Sequence, residues 1–161
     1  MVAEQQTPLP QASVADRLDV QEVLMRYTYA IDARDYDAVR SCFVPSAKID
    51  YETLPAFPRG PEDFVETVRH VLDQLASTQH LVANMCVTVD QDRAHCTSYV
   101  QASHVTTDGK LFVGAGRYDD DLERTPDGWK IAARTHRRQW STDPHNVAAT
   151  LGVRGSKFGA R

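Results

Sequence analysis

His80 and Asp32 are the two residues of this chain whose types can do chemistry together. His80 lies in Ser77-Thr78-Gln79-His80-Leu81-Val82, where a helical pattern gives way to a strand-like one. Asp32 lies in Ala30-Ile31-Asp32-Ala33-Arg34-Asp35, at the end of the first helical pattern. A carboxylate beside an imidazole fixes its tautomer and stabilises the imidazolium formed when the ring takes a proton. Brought together in an apolar cavity, the pair would move protons on a small organic molecule. Taken singly, each has a plainer account. Asp32 would be a helix-end carboxylate in a turn with Arg34 and Asp35, and His80 a satisfied strand histidine.

A second set of residues has two readings each. Tyr51 shares the apolar face of a strand with Ile49. It either packs in the core with its hydroxyl at the rim, or donates a hydrogen bond to an oxygen that gains negative charge. His104 ends a small apolar face with Cys96, Val100 and Ala102, as a pocket wall or as an exposed strand end. Arg117 and Asp119 continue the parity of Leu111, Val113 and Ala115, so they line a pocket mouth or bridge neighbouring strands. Arg138 and Trp140, at the end of the last strand-like segment, carry the same ambiguity. Tyr27, on the apolar stripe of the first helix, completes the candidate substrate-binding set.

Three helices and five strands must position these groups. Ser13-Val14-Ala15-Asp16 fits a helix cap, and Val20, Leu24, Tyr27 and Ile31 recur at helical spacing, which predicts a helix from Asp16 to Ala33. A short helix is expected over Asp35 to Phe43, stopped by Pro45. Ala47 to Glu52 alternates as a strand. After a loop with Pro55, Pro58 and Gly60, Pro61 opens a third helix with Phe64, Val65, Val68, Val71, Leu72 and Leu75 as its apolar set.

Four strand-like segments follow, over about 78–89, 93–105, 110–124 and 128–140. The breaks at Asp90-Gln91-Asp92, Asp108-Gly109 and Pro126-Asp127-Gly128 have turn chemistry, so the segments form an antiparallel meander. The expected fold class is α+β: a cone-shaped barrel of strongly curved, mainly antiparallel sheet, with three helices from the N-terminal half enclosing a pocket. Residues 1–12 read as a loose tail, 13–140 as the cone domain, and 141–161 as a second tail able to cover the pocket.

Composition removes several function classes. The chain has 161 residues, 42% hydrophobic and 25% charged, in the range of one globular domain. A net charge of -4 argues against a nucleic-acid partner. No apolar run approaches the roughly 20 residues of a membrane helix, and Met1 to Ala12 lacks the plan of a signal peptide. Three cysteines without CxxC spacing point to a reduced, cytoplasmic setting. No nucleotide fingerprint, phosphate loop or HExxH is present, and the six histidines have no metal spacing, so neither cofactor nor metal is expected. The run Asp119-Asp120-Asp121 reads as solvated charge, because neighbouring strand residues point to opposite faces.

The motifs Ala30-Ile31-Asp32-Ala33-Arg34-Asp35-Tyr36-Asp37, Lys48-Ile49-Asp50-Tyr51, Thr78-Gln79-His80, and Gly114 to Leu122 leading to Asp127-Gly128-Trp129-Lys130 occur in one order. In that order the chain resembles SnoaL-like proteins of the nuclear transport factor 2-like superfamily over roughly residues 14–140. Within that group it is most similar to scytalone dehydratase and hexachlorocyclohexane dehydrochlorinase. The resemblance puts the family's Asp–His dyad on Asp32 and His80, the dehydratase tyrosine on Tyr51 and its second histidine on His104. It departs at Ile31, where the dehydratase has a second tyrosine, and at Arg117 and Asp119, where it has serine and asparagine.

The resemblance implies a cofactor-independent lyase or isomerase acting on a small hydrophobic cyclic molecule, such as a polyketide, steroid, terpenoid or halogenated ring. It also implies a homodimer or homotrimer. Two alternatives stay open. One is a hydrolase in which Asp32, Arg117 and Asp119 imitate the Asp-Arg-Asp group of the superfamily's epoxide hydrolases. The other is a binding module without chemistry.

Overall fold

The computed structural model of the protein describes residues 14–51 and 60–142. The Ser13 cap, the tail over 1–12, the prolines Pro55 and Pro58, and the tail beyond 142 lie outside the described residues.

Helix α1 runs Val14–Ala33 and buries Val20, Val23, Leu24, Tyr27, Ala30 and Ile31. These are the positions that a 3.6-residue period brings to one face. Arg34 ends it in the left-handed region (φ 57°), with Asp35 N–H returning to the Ala30 carbonyl at 2.9 Å. Asp35 then caps α2 (Tyr36–Ser41) by accepting from Ala38 N–H. The second helix is shorter than its pattern predicts. Cys42 caps it, and Phe43 already belongs to strand β1 (Phe43–Tyr51). Pro45 therefore does not stop a helix. It sits inside an edge strand, where its missing N–H is tolerated. Helix α3 spans Pro61–Leu72, with Phe64 fully buried, and Leu75 opens the next strand.

Strands β2 (Leu75–Asp90), β3 (Arg93–Thr106), β4 (Leu111–Thr125) and β5 (Gly128–Ser141) form the expected antiparallel meander. Gly109 and Gly128 have positive φ at its turns, as the turn chemistry requires. Ser141 and Thr142 still pair with β4, since Thr142 N–H donates to the Val113 carbonyl at 2.8 Å. The sheet order is β1-β5-β4-β3-β2. The β1–β5 pair is parallel, so the sheet is mixed, and it is curled without closing. Helix α1 packs across β2 and β5, and α3 across β1 and β2. Among the described residues, no helix is long and apolar enough to cross a membrane.

Two irregularities decide which side chains face inward. On β2 the register shifts between Ala83 and Cys86, where Asn84 has φ 54°. The inward set is Thr78, His80 and Val82 before this bulge and Met85, Val87 and Val89 after it. Asn84, which strict alternation would group with His80, is exposed. On β5, Ile131 opposes Leu122 while Ala133 opposes Asp121, which leaves Ala132 as an extra residue. The inward parity thus switches from Trp129 and Ile131 to Arg134 and His136.

Candidate active site

The Asp32–His80 pair forms because two segments are tied together. The Arg34 guanidinium donates to the carbonyls of Leu72 and Leu75, at 3.1 and 2.6 Å. This fastens the end of α1 to the α3–β2 junction, five residues before His80. Asp32 Oδ1 then lies 2.7 Å from His80 Nδ1, and Asp32 Oδ2 accepts from the His80 backbone N–H at 2.8 Å. The His80 side chain is 12% exposed and that of Asp32 24%. An ionised carboxylate only accepts hydrogen bonds, so Nδ1 carries the proton and Nε2 is left as the basic nitrogen.

His80 lines a cavity of about 80 Å³. Helices α1 and α3 supply Tyr27, Ile31, Phe64, Val68, Val71 and Leu72, and the sheet supplies Tyr51 and Tyr118. The wall is apolar, with the imidazole and three phenols as its polar groups. A volume this size admits the reacting end of a molecule rather than a whole drug-sized ligand, for which 300–1,000 Å³ is usual. Tyr51 is the last described residue before 52–59, so the cavity wall ends at the edge of the described chain.

His104 belongs to this neighbourhood. Its ring lies edge-on to His80, with centroids 5.7 Å apart, and its Nδ1 is 2.9 Å from the Thr78 hydroxyl. Burial, reinforced by His80, pushes its pKa down to about 4, so at neutral pH it is an uncharged hydrogen-bonding group. Tyr51 is central in a hydroxyl cluster. Its Oη is 3.1 Å from Tyr27 Oη and 3.1 Å from Tyr118 Oη, and its ring stacks on His136 at 4.7 Å. Burial raises the Tyr51 pKa well above the ordinary phenol value, which keeps the hydroxyl protonated as a donor.

The structure does not bring Arg117 and Asp119 to this cavity. Arg117 donates twice to Asp119 Oδ2, at 3.0 and 2.9 Å, and Thr97 donates to Oδ1. Both lie on the outer face with Leu111, which is 60% exposed. Of the two readings of this β4 face, pocket mouth or strand surface, the structure has the second: it is the outside of the sheet. Its inner face is Gly116, Tyr118, Asp120 and Leu122. Arg138 is half-buried opposite Gly116, and Trp140 is exposed opposite Ala115; neither is among the residues lining the cavity.

The inner face holds four groups that pattern reading passed over: Tyr118, Asp120, Arg134 and His136. Asp120 is no solvated charge, because it and Arg134 are fully buried. Their bidentate pair has bonds of 2.7 and 2.8 Å. The Arg134 guanidinium lies 4.1 Å from the ring centroids of both Tyr27 and Tyr118, whose rings are perpendicular to each other. The signal was there in the alternation of Tyr118, Asp120 and Leu122. Gly114 and Gly116 obscured it by adding no apolar side chains to that face. A larger open groove, about 540 Å³, lies at the β2–β3 turn end beside the exposed pair His95–Asp121. That pair is exposed, and an exposed ion pair contributes little.

Comparison with known proteins agrees with this architecture. The model for the SnoaL-like domain matches residues 12–135. The uncharacterized protein Rv2910c of Mycobacterium tuberculosis is 35% identical over 126 residues, covering 76% of this chain and 85% of that one. A candidate aromatic ring hydroxylase from Novosphingobium aromaticivorans is 29% identical with a TM-score of 0.74, over 81% of this chain and 93% of that one. A candidate scytalone dehydratase from the same organism superposes with a TM-score of 0.75 at 22% identity, over 92% and 95%. LinA superposes at 0.68 and 20%, over 80% and 89%. At these last identities the likeness is one of fold.

Proposed function

This chain belongs to the SnoaL-like domain family, and on that premise we propose that it is a cofactor-independent lyase or isomerase of dehydratase type. Its substrate class is a small hydrophobic cyclic molecule with an acidic C–H next to a carbonyl or leaving group. His80 Nε2 takes that proton, and Asp32 holds the imidazole and stabilises the imidazolium. Tyr51, through the hydroxyl cluster it centres, supports the oxygen on which negative charge develops, and His104, uncharged, adds a second polar contact on the His80 side. Loss of a hydroxyl, which takes the proton from the imidazolium, gives water and an alkene. Return of the proton to another carbon gives an isomer.

The observation that carries this reading is the double engagement of Asp32 with His80 beside an apolar cavity. The experiment is turnover of a substrate found by screening cyclic hydroxyketones and enones. His80→Gln is expected to abolish it while circular dichroism stays native. Near wild-type turnover in that variant would overturn the assignment of the base. The hydrolase reading loses its support because Arg117 and Asp119 are paired with each other on the outer face. Exposed Leu81, Tyr99, Leu111 and Trp140 on the sheet support a homodimer or homotrimer, which light scattering would count. The three unpaired cysteines support a reducing, cytoplasmic setting.

A further inference from the structure

Three phenols line the cavity of His80 and a guanidinium packs against two of them, and proton transfer at His80 leaves most of these groups without a role. Tyr51 Oη donates to Tyr118 Oη at 3.1 Å. A phenol has a single hydrogen to donate, so the 3.1 Å contact between Tyr27 and Tyr51 is made with the Tyr27 proton. The chain of bonds therefore runs from Tyr27 to Tyr51 to Tyr118. The one hydroxyl proton not spent inside it belongs to Tyr118, which lines the same cavity as His80.

Arg134 backs this chain. It is buried, with Nε and Nη2 on Asp120, and packs against the rings of Tyr27 and Tyr118. Its Nη1 finds no partner among the described residues. Burial raises the pKa of each phenol, and the Arg134 charge works against that rise in all three. The phenols are thus neutral donors at neutral pH, with the guanidinium of the Arg134–Asp120 ion pair against two of their rings. This is the arrangement that stabilises an anion appearing in front of the last donor.

We propose that Tyr118 is a second catalytic residue, the terminal donor of a Tyr27–Tyr51–Tyr118 relay that receives the carbonyl oxygen of an enolisable substrate. The inference rests on His80 as the base. As Nε2 takes the α-proton, the C–H electron pair forms the new C=C bond and the carbonyl π pair moves onto oxygen. The Tyr118 hydroxyl holds that enolate, and the imidazolium keeps the proton until it is returned to carbon or to the leaving hydroxyl. Tyr51, Tyr27 and Arg134 are positioning residues that act through Tyr118.

The test is binding of 4-nitrophenolate, an enolate mimic, in mildly alkaline buffer, followed by its visible absorbance. It needs no turnover, so it reads the donor independently of the base. Saturable binding to the wild-type protein is expected. Tyr118→Phe should weaken it about 10- to 100-fold, the value of one hydrogen bond to an anion. Tyr51→Phe should weaken it less and Tyr27→Phe least. Absence of saturable binding, an unchanged affinity in Tyr118→Phe, or a larger loss in Tyr51→Phe would each overturn the proposal. If Tyr118→Phe does not fold, ring-labelled tyrosine in the wild-type protein decides. The Tyr118 Cζ resonance must then shift more than that of Tyr51 on binding, and the reverse order would refute the assignment.

Discussion

Both carboxylate oxygens of Asp32 are spent on one residue, His80: Oδ1 on its ring Nδ1 and Oδ2 on its backbone N–H. The second bond matters as much as the first. It ties the carboxylate to the strand that carries the imidazole, so the two groups move together. Arg34, bound to the carbonyls of Leu72 and Leu75, holds the helix end that delivers Asp32.

The buried pair Asp120–Arg134 makes the most severe stability prediction. Asp120→Asn removes one charge and leaves a desolvated guanidinium packed against two phenol rings. A loss of about 3–5 kcal/mol is expected in urea unfolding. The double substitution Asp120→Leu with Arg134→Met should lose less than the single one, because it leaves no orphaned charge.

Gly116 has no room for a side chain. A Cβ there would lie 2.6 Å from the Arg137 carbonyl oxygen and 2.6 Å from His136 Nε2. Gly116→Ala is expected to cost about 1–3 kcal/mol and to disturb the His136 stack on Tyr51. Gly114→Ala, where a Cβ meets nothing within 4 Å, should stay within about 0.5 kcal/mol of wild type. Thermal unfolding of the two variants side by side checks the contrast.

Arg117→Ala should leave turnover within about twofold and stability within about 0.5 kcal/mol, as expected of an exposed ion pair. A large loss of turnover would restore the hydrolase reading.

His104 and His136 set a pH dependence. Burial pushes both to about 4; His80 adds to this at His104, and Arg134, Arg137, Arg138 and His80 at His136. Above the ordinary histidine value of about 6.5 both are neutral in the folded and unfolded chain, and neither affects stability. As pH falls from there toward 4, the unfolded chain takes up protons that the folded one refuses. Stability then declines by at most roughly 1.4 kcal/mol per pH unit for each ring, and no further below 4. Urea midpoints of wild type and His104→Gln across this window should show a flatter decline in the variant.

Much of this was legible in the chain itself. The resemblance to SnoaL-like proteins singled out Asp32 and His80 as a pair, since residue type alone left each a plainer account, while the apolar spacing of α1 and the strand parity of β2 up to His80 placed them on their elements. The meander was legible from its turns. The rest was hidden by physical features that do not show in a pattern. Gly114 and Gly116 removed the apolar mark from the inner face of β4, and the outer face, with Leu111 and Val113, looked more like a core. The extra residue at Ala132 switched the parity of β5, so Arg134 did not read as an inward residue. Nothing local marks Asp120 and Arg134 as partners, since the pairing of β4 with β5 brings them together.

The measurement closest to the central claim is the nitrogen-15 spectrum of the His80 ring in mildly alkaline buffer. The wild-type protein is expected to show Nδ1 protonated and Nε2 bare. Asp32→Asn, which can donate where the carboxylate accepted, should lose that preference along with about 10²- to 10⁴-fold in turnover. A wild-type ring protonated on Nε2 would leave no base facing the cavity and would contradict the account.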